Sequence, residues 1–76
     1  MGLTGHVHNH LRRSRLAADG MTQTDLADRV GVTRQTIHSI ETGKYNPSIE
    51  LALRLARALE LAVEELFQID DEESSS

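Results

Sequence analysis

Cysteine is absent from this 76-residue chain, so neither a disulfide framework nor a thiolate zinc site compensates for its small size. That absence fits a reducing cytoplasm. No apolar run approaches the roughly 20 residues a membrane span needs, and Met1 to His10 has neither the basic nor the apolar region of a signal peptide. A soluble cytoplasmic protein with no membrane contact is expected. Catalytic constellations are also missing: there is no nucleophile beside a base, no Gly-rich phosphate loop and no paired catalytic carboxylates. A chain this small has little room for a water-excluding pocket, so no enzyme is expected.

Positive charge is in deficit overall, with eight Lys and Arg against twelve Asp and Glu and a net charge of -4. The deficit sits at one end. Asp70, Asp71, Glu72 and Glu73 precede Ser74 to Ser76, and without that run the acids and bases of the body balance. A charged run ending in serines cannot offset its ordering entropy, so residues 70–76 are expected to form a disordered acidic tail. Residues 1–6 are expected to be flexible, leaving residues 7–69 as a single domain near the lower size limit for independent folding.

Apolar residues recur at helical spacing through that domain, and the β-branched clusters are too short and too polar-flanked for strands, which predicts an all-α fold of five helices. The first helix is expected from Val7 or His8 to Ala18, ending at Asp19-Gly20. Thr22 opens the second, with Asp25 as an acidic variant of the capping box, Leu26, Ala27 and Val30 facing inward, and Gly31 as its stop. Thr33 caps a third, from Arg34 to Glu41 or Thr42, whose Ile37 and Ile40 form a narrow inward stripe. Ser48 caps a fourth, Ile49 to Leu59, and Val63 to Phe67 makes a short fifth. The fourth helix is apolar around most of its girth, as expected of a central helix or one covered by a second chain.

Two short helices joined by a three-to-four-residue turn carrying glycine form a helix-turn-helix, whose second helix enters the DNA major groove. Gln23, Ala27, Gly31, Val32, Ile37 and Ile40 fall in register for it. Ala27 is small where the helices cross, Gly31 permits a left-handed turn, and Val32 and Ile37 lock the angle. The segment "MTQTDLADRVGVTRQTIHSIETGKYNPSIELALRLARAL" resembles the Cro/C1-type (XRE) family of bacterial and phage regulators, over about Leu11 to Phe67. "RQTIHSIETGKYNPS" is most similar to small stand-alone members. The resemblance implies a compact five-helix lambda-repressor-like DNA-binding domain with the helix-turn-helix at helices 2 and 3.

Carried over by position, it places Arg34, Gln35, Thr36, His38 and Ser39 on the exposed side of the recognition helix. The chemistry agrees: Arg can bond bidentately to guanine O6 and N7, Gln to adenine N6 and N7, and Thr offers a methyl to thymine. Arg34 and Gln35 are the main expected base readers. Gln23, Thr33, Thr42 and Lys44 are expected at phosphates, Gln23 and Thr33 because helix N-termini present free N–H groups. The family commonly pairs an Arg of helix 1 with a Glu near the end of helix 3, which nominates Arg15 and Glu41 as a structural pair.

The plain alternatives are that Thr22 and Thr33 are first of all helix caps, that Tyr45 simply packs its ring beside Pro47, and that Asn46 is an ordinary turn residue. The chain departs from the family pattern in several places. Asp19 and Gly20 add one residue before the second helix. Ser14 stands where an aliphatic is usual. Glu60 and Ala62 replace a frequent Gly and a frequent Ser cap.

His6, His8 and His10 could gather around one ion, but with no carboxylate or Cys near them in the sequence they read as an exposed end, and neither metal nor cofactor is expected. The expected partner is double-stranded DNA, bound by a homodimer whose surface uses Leu51, Leu55, Ala58, Leu59, Leu61 and Val63. The competing expectation is an antitoxin-like or bridging module whose main partner is another protein.

Overall fold

The computed structural model describes residues 6–70, with only the backbone at the two end positions. The expectations for residues 1–5 and 71–76 lie outside the described residues. In chain order the elements are β1 (His6–Asn9), α1 (Leu11–Ala17), α2 (Gln23–Val30), α3 (Arg34–Glu41), α4 (Ile49–Ala58), α5 (Val63–Leu66) and β2 (Phe67–Asp70).

The five helices are those the periodicity predicts, and their starts follow the expected caps. Thr22 Oγ1 accepts the Asp25 N–H at 3.0 Å while the Asp25 carboxylate accepts the Thr22 N–H at 3.2 Å, completing the capping box. Hydrogen bonds to the carboxylate from the Thr22 backbone N–H and, secondarily, from the Thr22 hydroxyl hold the Asp25 carboxyl below its ordinary range. Thr33 accepts from the Thr36 N–H and Ser48 from the Leu51 N–H. Gly31 ends α2 at φ 81°, its N–H bonded to the Ala27 carbonyl, a left-handed geometry that a side chain would strain. At the Asp19-Gly20 insertion both residues have positive φ, and Glu60, in the place of the family's frequent Gly, does too. Ala62 has no side chain to cap α5, so the Glu65 carboxylate reaches back to its N–H at 2.8 Å.

A two-stranded antiparallel ribbon differs from the all-helical expectation at both ends of the domain. Val7 to Asn9 do not join α1, and Phe67 does not end α5. The register is His6 to Asp70, Val7 to Ile69, His8 to Gln68 and Asn9 to Phe67. Each strand is too short to be recognised alone, but pairing of the two chain ends satisfies backbone groups that neither segment satisfies by itself. Asn9 fixes the junction: its Oδ1 accepts the Leu11 N–H at 3.3 Å, starting α1, and its Nδ2 donates to the Ile40 carbonyl at 2.9 Å. His10 N–H bonds the Leu66 carbonyl at 2.8 Å and continues the connection.

Leu11, Leu26, Ile37, Ile40, Leu55 and Leu66 are fully buried, with Ala27, Val30 and Ala56 filling the crossings. Helix α4 is thus central to the fold. Of the residues expected at a dimer surface, Leu51, Leu55 and Leu59 are instead core residues, whereas Ala58, Leu61 and Val63 are partly buried and packed against that core. The burial follows from the stripe of α4 that faces α2 and α5. The apolar side chains of α4 left exposed are Ile49, at 81%, and Leu53, at 55%, one turn apart. From α1 only Leu11 and Arg15 are buried; Ser14 is half-buried and Leu16 is exposed.

Arg15 is the buried charge of the core. Its Nε donates to Glu41 Oε2 at 2.7 Å, Nη2 to Glu41 Oε1 at 3.1 Å and Nη1 to the Met21 carbonyl at 2.7 Å. The two side chains are only 8% and 3% exposed. Desolvation pushes the Glu41 pKa up, but bonds from Arg15 and Gln23 and the positive charges of Arg15 and Arg12 outweigh it, so the net shift is downward.

A depressed carboxylate contributes stability that is present above its unfolded pKa, about 4.3, and is lost as pH falls through the folded value. The melting temperature should therefore stay flat toward neutral pH and drop below about pH 4.3, and Glu41→Gln should remove part of that acid sensitivity while lowering stability at pH 7. Arg15→Ala, which leaves Glu41 buried and uncompensated, should cost about 3–5 kcal/mol, comparable to the whole stability of a domain this size. Thermal melts from pH 3 to 8 check both.

Candidate nucleic-acid interface

Helix α3 divides sharply between its two faces. Ile37 and Ile40 are wholly buried, whereas Arg34, Gln35 and His38 are exposed and Thr36 and Ser39 are half-buried. The short helix therefore keeps its place through two isoleucines and Glu41, and presents hydrogen-bonding groups along the rest of its length.

The structure brings most of the expected site residues together on this side. Thr33 Oγ1 lies 3.1 Å from Thr36 Oγ1, so the N-cap also steadies the first-turn threonine. Thr42 donates from Oγ1 to the Ser39 carbonyl at 3.3 Å, and the Lys44 N–H bonds the same carbonyl at 2.9 Å, closing the C-terminal turn. Lys44 itself is exposed beside that turn.

Gln23 takes a different position from that of a free phosphate donor. Its Oε1 accepts from Arg34 Nη1 at 3.0 Å, and its Nε2 donates to Glu41 Oε1 at 3.0 Å. His38 Nδ1 lies 3.5 Å from the same Nε2. A continuous chain thus runs from buried Arg15 through Glu41 and Gln23 to Arg34 at the surface. A long, flexible arginine is held at its guanidinium by a group that is itself fixed to the core, which lowers the entropy cost of any further bidentate contact that fork makes.

Two residues beside this face were not legible as such in the sequence. Tyr45 is exposed rather than packed away, and with Lys44 it borders a shallow recess lined by Thr33, Gln35, Thr36 and Ser39. Its signal was its rarity: the chain has one tyrosine, and it directly follows the turn after the recognition helix. Asn9 bonds the Ile40 carbonyl in the last turn of α3 from the far end of the chain, a long-range contact with no local signature. Among the described residues no three His, Cys, Asp or Glu side chains form a metal cluster, and no helix is long and apolar enough to cross a membrane.

The geometry of two crossed helices with a polar second face agrees with comparison to known proteins. A helix-turn-helix family model matches residues 11–66. An uncharacterised HTH-type transcriptional regulator of Archaeoglobus fulgidus is 56% identical over 54 residues, covering 71% of this chain and 77% of that protein. Another, from Methanothermobacter thermautotrophicus, is 54% identical over 54 residues, covering 70% and 78%. Among solved structures, the restriction-modification controller protein C.AhdI from Aeromonas hydrophila is similar with a TM-score of 0.70 and 38% identity, over 75% of this chain and 85% of that one. With the match spanning α1 to α5 and the two-faced α3 at its centre, the chain belongs to the Cro/C1-type helix-turn-helix family of DNA-binding transcriptional regulators.

Proposed function

We propose that the protein is a sequence-specific regulator that reads the DNA major groove with α3, as a homodimer on a two-fold symmetric operator whose half-site centres lie about 10 bp apart. The observation that carries this reading is the outer face of α3, where Arg34 and Gln35 are exposed in the first turn and Arg34 is braced by Gln23. Arg34 reads guanine and Gln35 adenine, with Thr36, His38 and Ser39 as neighbouring readers, each good bidentate pair discriminating by roughly 1–3 kcal/mol.

Thr33, Thr42 and Lys44 flank these groups and take phosphates, as does the N-terminal turn of α2 at Gln23. The balanced charge of the body gives only modest nonspecific affinity, so selectivity rests on α3 and on dimer geometry. Regulation then works by occupancy of DNA in the cytoplasm, on the nucleoid, without chemistry. The likeness to a restriction-modification controller supports a small regulator of this kind.

For the dimer, the exposed apolar pair Ile49 and Leu53 on α4 takes the place of the buried leucines expected from sequence. Selection from a randomised duplex pool at fixed moderate salt tests the whole reading. A two-fold symmetric motif should be enriched by the wild type and lost with Arg34→Ala plus Gln35→Ala. Leu53→Glu, at a position already exposed, should leave the fold intact, yield a monomer by sedimentation and reduce the selected motif to a half-site. A folded dimer that enriches nothing would contradict the reading.

A further inference from the structure

Two further arginines stand beside the network that holds Arg34. Arg12 and Arg13, both exposed in the first turn of α1, line a shallow recess with Asn9, His10, Leu16 and Glu41. Glu41 is the residue through which the end of α3 reaches Gln23 at the head of α2, so the recess adjoins both elements. Its balance of charge is positive. Among the described residues of the lining the one acid is Glu41, whose carboxylate is already engaged by Arg15 in a bidentate pair and whose side chain is 3% exposed.

The two guanidiniums are set differently. Arg13 Nη2 lies 3.1 Å from His10 Nδ1, and a guanidinium only donates, so Nδ1 accepts. The ring proton is then on Nε2, which donates to Gln68 Oε1 at 3.2 Å and ties Arg13 through His10 to β2. A guanidinium carries five N–H donors, so this bond leaves the rest of the Arg13 fork open. The Arg12 side chain makes no hydrogen bond among the described residues, and its positive charge reaches Glu41. Leu16, exposed at 46%, gives the recess an apolar side. Two open forks beside an apolar wall suit a sugar–phosphate backbone, in which anionic oxygens alternate with deoxyribose. We infer that the recess holds a backbone phosphate of bound DNA, with Arg12 and Arg13 donating to its oxygens and the adjoining deoxyribose against Leu16. This rests on the proposed binding of DNA by α3 and extends the footprint to α1. The contact carries no base information; it fixes register and adds affinity on any sequence.

The test titrates the full chain against a random duplex pool, before and after selection by the wild type, over a series of KCl concentrations. Arg12→Gln and Arg13→Gln should each reduce the steepness of log K against log salt by about 0.9 on both pools, while keeping the wild-type melting temperature and enriched motif. Arg12→Lys, which retains a point charge, should keep the wild-type slope. Arg29→Gln removes the same charge from the last turn of α2, at the opposite end of that helix from Gln23, and should also keep it. Wild-type slopes in both Gln variants of α1 would overturn the inference. So would an equal fall in Arg29→Gln, which would reduce the effect to net charge, or a wild type that binds neither pool. If no motif is enriched and the slopes still fall in the α1 variants alone, sequence-specific reading fails while the phosphate site stands.

Discussion

The ion pair between Arg15 and Glu41 joins parts of the chain that little else brings into one arrangement. Its guanidinium reaches α3 through Glu41 and the loop before α2 through the Met21 carbonyl, and Glu41 in turn accepts from Gln23 at the head of α2. Burying two charges in a domain this small is expensive, and the cost is offset only because the fork is bidentate and the remaining groups have partners. An apolar pair of similar volume could fill the space. It could not hold Gln23, and so could not hold Arg34.

Stability and the proposed recognition of DNA by Arg34 therefore share one hydrogen-bonded path. The α3 helix has two buried isoleucines to fix it, a thin anchor for an element that must present most of its surface outward. Glu41 adds a third anchor at its C-terminal end, and Asn9 a fourth at the Ile40 carbonyl. At its other end Thr33 caps the helix. The polar outer face is then free of structural duties, as the proposed base reading requires.

The helices were legible because capping residues and 3.6-residue periodicity are local properties: Thr22, Thr33 and Ser48 each cap where the sequence places them. The Arg15 and Glu41 pairing came from the family resemblance, and no spacing rule would have found it across 26 residues. What was not legible is non-local. The β1 and β2 strands are four residues each and meet only because the helices return the chain ends to one place. Helix α4 illustrates the same limit. Its apolar girth signalled either a central helix or a covered one, and only the packing shows that Leu51, Leu55 and Leu59 face inward while Ile49 and Leu53 do not. Gln23 is expected at a phosphate from sequence, but its link to Arg34 depends on the crossing of α2 and α3 and is not readable from either helix alone.

The claim that the core positions the base reader is tested most directly by Gln23→Ala, measured as base preference at each operator position together with the thermal melt. If Gln23 braces Arg34, the variant should stay folded, keep its binding to unrelated duplex and lose discrimination chiefly at the base pair that Arg34 reads. Equal weakening on every sequence, with the base preference at that position intact, would contradict the account and return Gln23 to the role of a phosphate contact.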